Sequence, residues 1–263
     1  MKRNLIIVEG LPCSGKSTTA RYIAEQLGIA FVDEGSGAHP ADYEFHAFLT
    51  REDMAEFSSD EQQKILAAGT EKSGGYIVPL GGFSGELFDK LLQHKVYDFL
   101  PWETERPVML DKWREFADKI VDESYVFNCV LLQNPMCETM MRFGFDENVS
   151  ETYIREICGI IAPLSPFVVY LKNSDIYNSV KQASEERGDD WLNAVIDYHC
   201  SGKYGRKHGL SGFDGYISAL EERQRRELDI LGRLDIDSVV IDDPQKDWTK
   251  AYSAIISKIN EVK

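Results

Sequence analysis

Gly10-Leu11-Pro12-Cys13-Ser14-Gly15-Lys16-Ser17 holds the residue types a polyphosphate needs, at the spacing it needs them. The stretch fits G-x-x-x-x-G-K-[ST], in which glycines let successive backbone N–H groups turn inward around negative charge. Lys16 is then placed to reach the β- and γ-phosphates. The Ser17 hydroxyl can ligate the Mg²⁺ that accompanies them, and Thr18 closes the binding stretch. A chain of this length carries the pattern by chance about once in a hundred, and its surroundings lower that figure. Leu5-Ile6-Ile7-Val8 is wholly apolar, as a buried parallel strand is. Ala20, Ile23, Ala24 and Leu27 then recur at helical spacing, and Gly28 stops the helix. Strand, glycine loop and helix come in the order a nucleotide-phosphate site requires.

Other chemistry lies further along. Ile29-Ala30-Phe31-Val32 reads as a second strand ending in Asp33-Glu34. Ligands of open parallel sheets bind beyond the carboxyl ends of the strands, so this pair shares a rim with the glycine loop. It reads as a general base or Mg²⁺ partner, or as a solvated strand end. Ser201 to Gly212 interleaves Gly202, Gly205, Gly209 and Gly212 with Lys203, Arg206, Lys207 and His208. That is a mobile basic loop or a solvated turn. Tyr43, Phe45, Trp102 and Trp113 stack on a planar substrate or belong to the core. Cys13 sits inside the glycine loop, where oxidation blocks the site, or is simply a small residue that fits.

Positioning these groups takes alternating strands and helices. Tyr125 to Leu132, Phe167 to Leu171 and Ser238 to Ile241 read as strands. Helices are expected at about 136–143, 150–161, 175–187 and 213–231, with a closing helix carrying Trp248, Tyr252, Ile255, Ile256 and Ile259. Alternation of this kind predicts an α/β fold, a parallel sheet covered on both faces. Residues 36–123 break the pattern. A helix from Ser59 or Asp60 towards Ser73, a short strand from Tyr76 to Leu80, a helix from Glu86 to His94 and another from Met109 read as a mostly helical insertion that shapes an acceptor pocket. The core is then 1–35 and 124–263.

The chain has 263 residues, 43% of them hydrophobic, and a net charge of −15. Such a surface repels phosphate backbones, which excludes nucleic acid as the expected partner. Five cysteines without a C-x-x-C pair read as reduced thiols of a cytoplasmic protein. No apolar run has membrane-spanning length, and no signal peptide is expected. A small-molecule acceptor is the expected partner, with a homodimer left open.

The glycine loop, the strand ending in Asp33-Glu34, and the run from Tyr170-Leu171-Lys172-Asn173 to Glu186-Arg187-Gly188 together carry a family likeness. The chain resembles P-loop kinases of the thymidylate and deoxynucleoside kinase type. The resemblance implies a P-loop NTPase fold, a three-layer sandwich around a parallel sheet of about five strands. It implies ATP and Mg²⁺, with Arg187 as the arginine of a lid over residues 187–212 to which Arg206 and Lys207 belong. Val239-Val240-Ile241-Asp242 is similar to the last strand, whose following loop lies by the adenine. Two departures stand out. Family members carry an acid-arginine pair at the third strand, where this chain has Val126-Phe127-Asn128-Cys129-Val130. Thymidylate kinases place an arginine where Asp33 stands. The expectation is an ATP-dependent small-molecule kinase acting on the hydroxyl of a nucleoside, sugar or antibiotic-like acceptor. Lys16, Arg187 and the base Glu34, or failing it Asp33, would be its catalytic residues. The alternative is a nucleotide-dependent switch with little turnover. A guanine switch fits less well, because Lys172-Asn173-Ser174-Asp175 has the wrong order for N-K-x-D.

Overall fold

The computed structural model describes residues 3–35, 37–120 and 123–261. Ser36, where the sequence reading starts the insertion, lies outside them, as do Met1 and Lys2. The chain divides into two compact units, Met1–Asp33 with Ile120–Lys263, and Glu34–Lys119.

The first unit opens with β1 (Leu5–Gly10), α1 (Lys16–Leu27) and β2 (Ala30–Val32). Every residue of β1 is buried, the reason its sequence is apolar on both faces up to Glu9. Gly28 ends α1 in the left-handed conformation (φ 64°), its N–H donating to the Ala24 carbonyl.

The second unit holds β3 (His46–Thr50), α2 (Ser59–Ala68), β4 (Thr70–Lys72), β5 (Gly75–Pro79), α3 (Gly85–Leu92) and α4 (Trp102–Lys119). Its strands form an antiparallel sheet in the order β3-β5-β4. Three local expectations change here. The cap of α2 is Ser58, which exchanges hydrogen bonds with Glu61 in a capping box. That helix stops at Gly69 rather than near Ser73, because Ser73 and Gly74 both take positive φ (52° and 81°) and turn β4 into β5 as a hairpin. Finally, α4 starts at Trp102 and runs through Pro107, not from Met109. Ala47, Leu49, Ile65, Val78, Leu80 and Leu91 form the core of this unit.

The first unit resumes with β6 (Tyr125–Asn128), α5 (Glu147–Ile161), β7 (Phe167–Lys172), α6 (Ile176–Arg187) and α7 (Asp189–Cys200). It continues through α8 (Lys203–His208), α9 (Gly212–Arg233), β8 (Asp237–Asp242) and α10 (Trp248–Asn260). Five parallel strands lie in the order β2-β6-β1-β7-β8, the predicted α/β sheet. The alternate residues Ile6, Val8, Val126, Val169 and Leu171 meet Ala20, Ile23, Ile255 and Ile259 of α1 and α10. On the opposite face Tyr170 donates a 2.6 Å hydrogen bond to Glu227 of α9. The layers are thus helix, sheet, helix.

One expectation fails in the first unit. Ser201 to Gly212 is not a loop: Lys203–His208 is helical, and α9 begins at Gly212. Two of the four glycines there answer to packing. A methyl group on Gly202 would lie 2.2 Å from the Met141 carbonyl oxygen, and one on Gly205 2.1 Å from that of Cys200.

Candidate active site

The glycine loop leaves β1 at Gly10, with φ 143°, and enters α1 through Gly15, with φ 88°. Neither angle suits a residue with a Cβ, and a methyl group at Gly15 would also lie 2.4 Å from the Trp248 ring. Cys13 adopts the left-handed region as well, at φ 67°. Leu11 is buried against Val180 of α6 and Tyr216, Ile217 and Leu220 of α9. Lys16 is buried, and its ammonium donates a 3.0 Å hydrogen bond to the Leu11 carbonyl inside the loop. Burial pushes the Cys13 thiol up, a shift that Arg187 and Lys16 partly oppose.

Arg187, the last residue of α6, stands across a cleft of about 320 Å³ from the loop. Cys13, Gly15, Ser179, Gln182, Ala183, Glu186 and Gln245 line the rest of it. The guanidinium also lies 4.9 Å from the centre of the Trp191 ring. The structure therefore brings Arg187 and the loop together. Arg206 and Lys207 are not among the residues lining this cleft. They occupy the last turn of α8, where the Arg206 guanidinium donates to the Ser201 carbonyl.

The third-strand position without an acid has its own arrangement. The Asn128 amide donates to Ser17 Oγ at 2.9 Å and to Asp33 Oδ1 at 2.7 Å. The other oxygen of Asp33 accepts from Arg21 at 2.8 Å. A carboxylate only accepts, so the amide nitrogen must be the atom that faces it. Asn128 Oδ1 is then left buried without a hydrogen bond. Two oxygens converging on one point, with a third a side-chain rotation away, suit a hard cation such as Mg²⁺. Among the described residues no group of three His, Cys, Asp or Glu side chains does so. Glu34 opens the second unit.

Sequence reading missed what holds Asn128 there. Glu9, in the strand just before the loop, is wholly buried. Its Oε1 accepts from the N–H groups of Val130, Leu131 and Leu132 at 2.8–3.1 Å, and its Oε2 from Gln133 at 3.2 Å. Burial pushes this carboxyl up, the backbone donors pull it down, and the nearby Glu227 pushes it up again. The third strand consequently ends at Asn128, not at Leu132, since the next residues wrap around Glu9. An acid one residue before the first glycine of the motif was the available signal.

The aromatic candidates divide. Trp113 is core, packed edge-on to Phe116. Tyr43 is buried beneath the Lys112 ammonium, 4.7 Å from the ring centre. Phe45 is exposed, and Trp102 is half-buried.

No family model matches the chain. It is similar to a cytidylate kinase of Streptococcus thermophilus, 22% identical over 237 residues, which span 87% of this chain and 99% of that one. Among solved structures it is similar to the deoxyadenosine kinase from M. mycoides with bound dATP, with a TM-score of 0.45 and 17% identity over 98% of this chain and 100% of that one. The thymidylate kinase from Candida albicans gives a TM-score of 0.45 and 13% identity over 99% and 94%. The P-loop kinase resemblance drawn from the sequence thus recurs in a match to cytidylate kinases over 87% of this chain, at an identity that leaves each residue's role to be argued from this chain's own geometry.

Proposed function

We propose that the chain is an ATP-dependent kinase that transfers the γ-phosphoryl group to the hydroxyl of a small acceptor. The observation that carries this is the glycine loop facing Arg187 across one cleft, with Ser17, Asn128 and Asp33 joined beside it. Phosphoryl transfer asks for positioning and charge neutralisation more than for covalent chemistry. Lys16 gives up the Leu11 carbonyl and turns to the β- and γ-phosphates, while the loop N–H groups hold them. Arg187, fixed at a helix end, faces the charge that develops on the transferred group. Asp33 already accepts from Asn128 and Arg21. Glu34 is the proposed base for the acceptor's proton, with Asp33 as an anchor. Ser17, Asp33 and the Asn128 carboxamide are the oxygen donors that would hold Mg²⁺. The ion, when bound, supplies charge neutralisation at the phosphates.

Nucleosides, sugars and antibiotic-like alcohols are the hydroxyl acceptor classes; the relatives named cytidylate kinase add nucleoside monophosphates, whose acceptor atom is a phosphate oxygen, to the classes to be tested. The helical second unit would supply the acceptor pocket. A second reading, a nucleotide-dependent switch with little turnover, draws on Asn128 standing where an acid is expected. The deciding experiment is a screen of nucleosides, nucleoside monophosphates, sugars and aminoglycosides for acceptor-dependent ADP release. Release with one acceptor class establishes the kinase. Tight ATP binding with no release across the panel selects the switch.

A further inference from the structure

Arg187 stands among carboxylates and pairs with none of them. Glu185 and Glu186 precede it, and Asp189 and Asp190 follow closely. Other arginines of the chain take such partners: Arg21 meets Asp33 at 2.8 Å, Arg142 meets Glu138 at 2.7 Å, and Arg225 and Arg233 share Glu147. Among the described residues Arg187 makes no ion pair and donates no hydrogen bond. Its guanidinium lies instead over the Trp191 ring, 4.9 Å from the centre.

The backbone is shaped for that contact. Helix α6 ends at Arg187 and α7 begins at Asp189, so only Gly188 separates them. Gly188 takes φ 87° and ψ 172°, a region open essentially to glycine alone. Its N–H donates to the Ser184 carbonyl of α6, and its own carbonyl accepts from Leu192 of α7 at 3.2 Å. One residue thus closes the first helix and opens the second. Trp191, half-buried in the first turn of α7, is brought back over the last side chain of α6. The adjacent carboxylate is engaged elsewhere: Glu186 Oε1 accepts from Gln182 Nε2 at 3.1 Å, one turn back on α6.

An ion pair and a ring hold a guanidinium in different ways. A carboxylate cancels its charge and occupies its N–H groups, and an arriving anion must displace it. A ring face attracts the cation through its quadrupole and leaves all five N–H donors unspent. It also orders a long side chain in advance, removing rotamer freedom that would otherwise be lost on binding. Arg187 lines the cleft with Cys13 and Gly15 of the glycine loop, near enough to oppose the rise that burial imposes on the Cys13 thiol. We propose that Trp191 is the positioning residue of Arg187: its ring holds the guanidinium at the cleft with charge and donors intact, so that a polyphosphate meets a preset cation. This rests on the kinase reading above, because it takes the cleft for the phosphate site.

Calorimetric titration of the intact protein with inorganic tripolyphosphate tests it, in the parent, Trp191→Phe, Trp191→Leu, Trp191→Met and Arg187→Ala. Trp191→Leu and Trp191→Met remove the ring by two different shapes, and melting temperatures check that each variant is folded. Both should weaken tripolyphosphate binding about 2- to 5-fold, the worth of one exposed cation–π contact. Trp191→Phe, which keeps a ring face, should retain most of the affinity. With Arg187→Ala in place, Trp191→Leu should change nothing further, since the two residues act as one unit. A loss of the same size in the Arg187→Ala background would make Trp191 an ordinary packing residue and overturn the assignment. Equal losses in Trp191→Phe and Trp191→Leu would do the same, as would tighter binding without the ring, the sign that Trp191 holds Arg187 back. If Arg187→Ala binds tripolyphosphate as the parent does, this assignment falls while the glycine loop keeps its phosphate role. If the parent binds neither tripolyphosphate nor MgATP, the kinase reading falls and takes this one with it.

Discussion

Two stretches of this chain combine glycines with basic side chains, and they are built for different purposes. In Gly10–Ser17 the glycines take φ of 143° and 88°, conformations that a residue with a Cβ rarely adopts. In the stretch from Gly202 to Gly212, Gly202 and Gly205 have ordinary helical or extended backbone and no room for a Cβ. Gly209 and Gly212, at φ 63° and 62°, mark where one helix ends and the next begins. The first set serves backbone conformation, whereas the second serves close packing at two positions and helix ends at the other two. Glycine content therefore says little about mobility until the neighbours of each glycine are known.

The contrast can be broken in order of expected effect. Lys16→Ala should lower acceptor-dependent turnover by about 10³-fold, the scale of one lost electrostatic contact in a transition state. Its melting temperature should stay near that of the parent. A folded Lys16→Ala protein with near-normal turnover removes the loop from the chemistry. Gly205→Ala should do the reverse. Overpacking against the Cys200 carbonyl costs about 1–3 kcal/mol of stability, read by urea denaturation, with ATP affinity of the folded protein unchanged. Gly209→Ala, where nothing lies within 4 Å, should cost only the left-handed penalty of about 1 kcal/mol.

Asn128→Asp sharpens the comparison on the loop's own side. It sets a carboxylate beside Asp33 and removes the donor that joins Asp33 to Ser17. Like charges at that distance raise the pair's pKa, so the folded protein binds protons more readily than the unfolded chain. Stability should fall by about 1–2 kcal/mol at neutral pH and recover as pH drops below about 5. Mn²⁺ affinity, followed by electron paramagnetic resonance, should rise. An unaltered Mn²⁺ affinity would separate Asn128 from the cation position. The smallest effect is expected from Arg206→Ala with Lys207→Ala, which should change ATP affinity by less than about 2-fold, while Arg187→Ala weakens turnover by 10-fold or more. A strong salt-dependent loss in the double variant would restore a nucleotide role to α8.

The glycine loop around Lys16 and the α/β order were legible because both are written locally. A motif of fixed spacing and an apolar strand need no distant partner to be recognised. The antiparallel sheet of the second unit was harder, since β3 meets β5 across an intervening helix and its buried run is only Ala47-Phe48-Leu49. Asn128 was visible as a missing acid, but its bonds to Ser17 and Asp33 join residues more than ninety positions apart. Glu9 was passed over because an acid at a strand end looks solvated until the loop that covers it is known. Arg187 was singled out through family likeness, and it lines the same cleft as Cys13.

Glu9 also sets a clock. Val130 to Gln133 form no strand, and amides in such segments ordinarily trade their protons with water quickly. Here three of them converge on one oxygen of a wholly buried carboxylate and the fourth meets its other oxygen. None can let go without stranding that carboxylate inside the sheet, beside Glu227. These four protons should exchange as slowly as those of β1 itself, through opening of the whole first unit and not through local fluctuation. A connecting segment thus keeps time with the centre of the sheet, and the two strand ends that flank Ser17 open together or not at all.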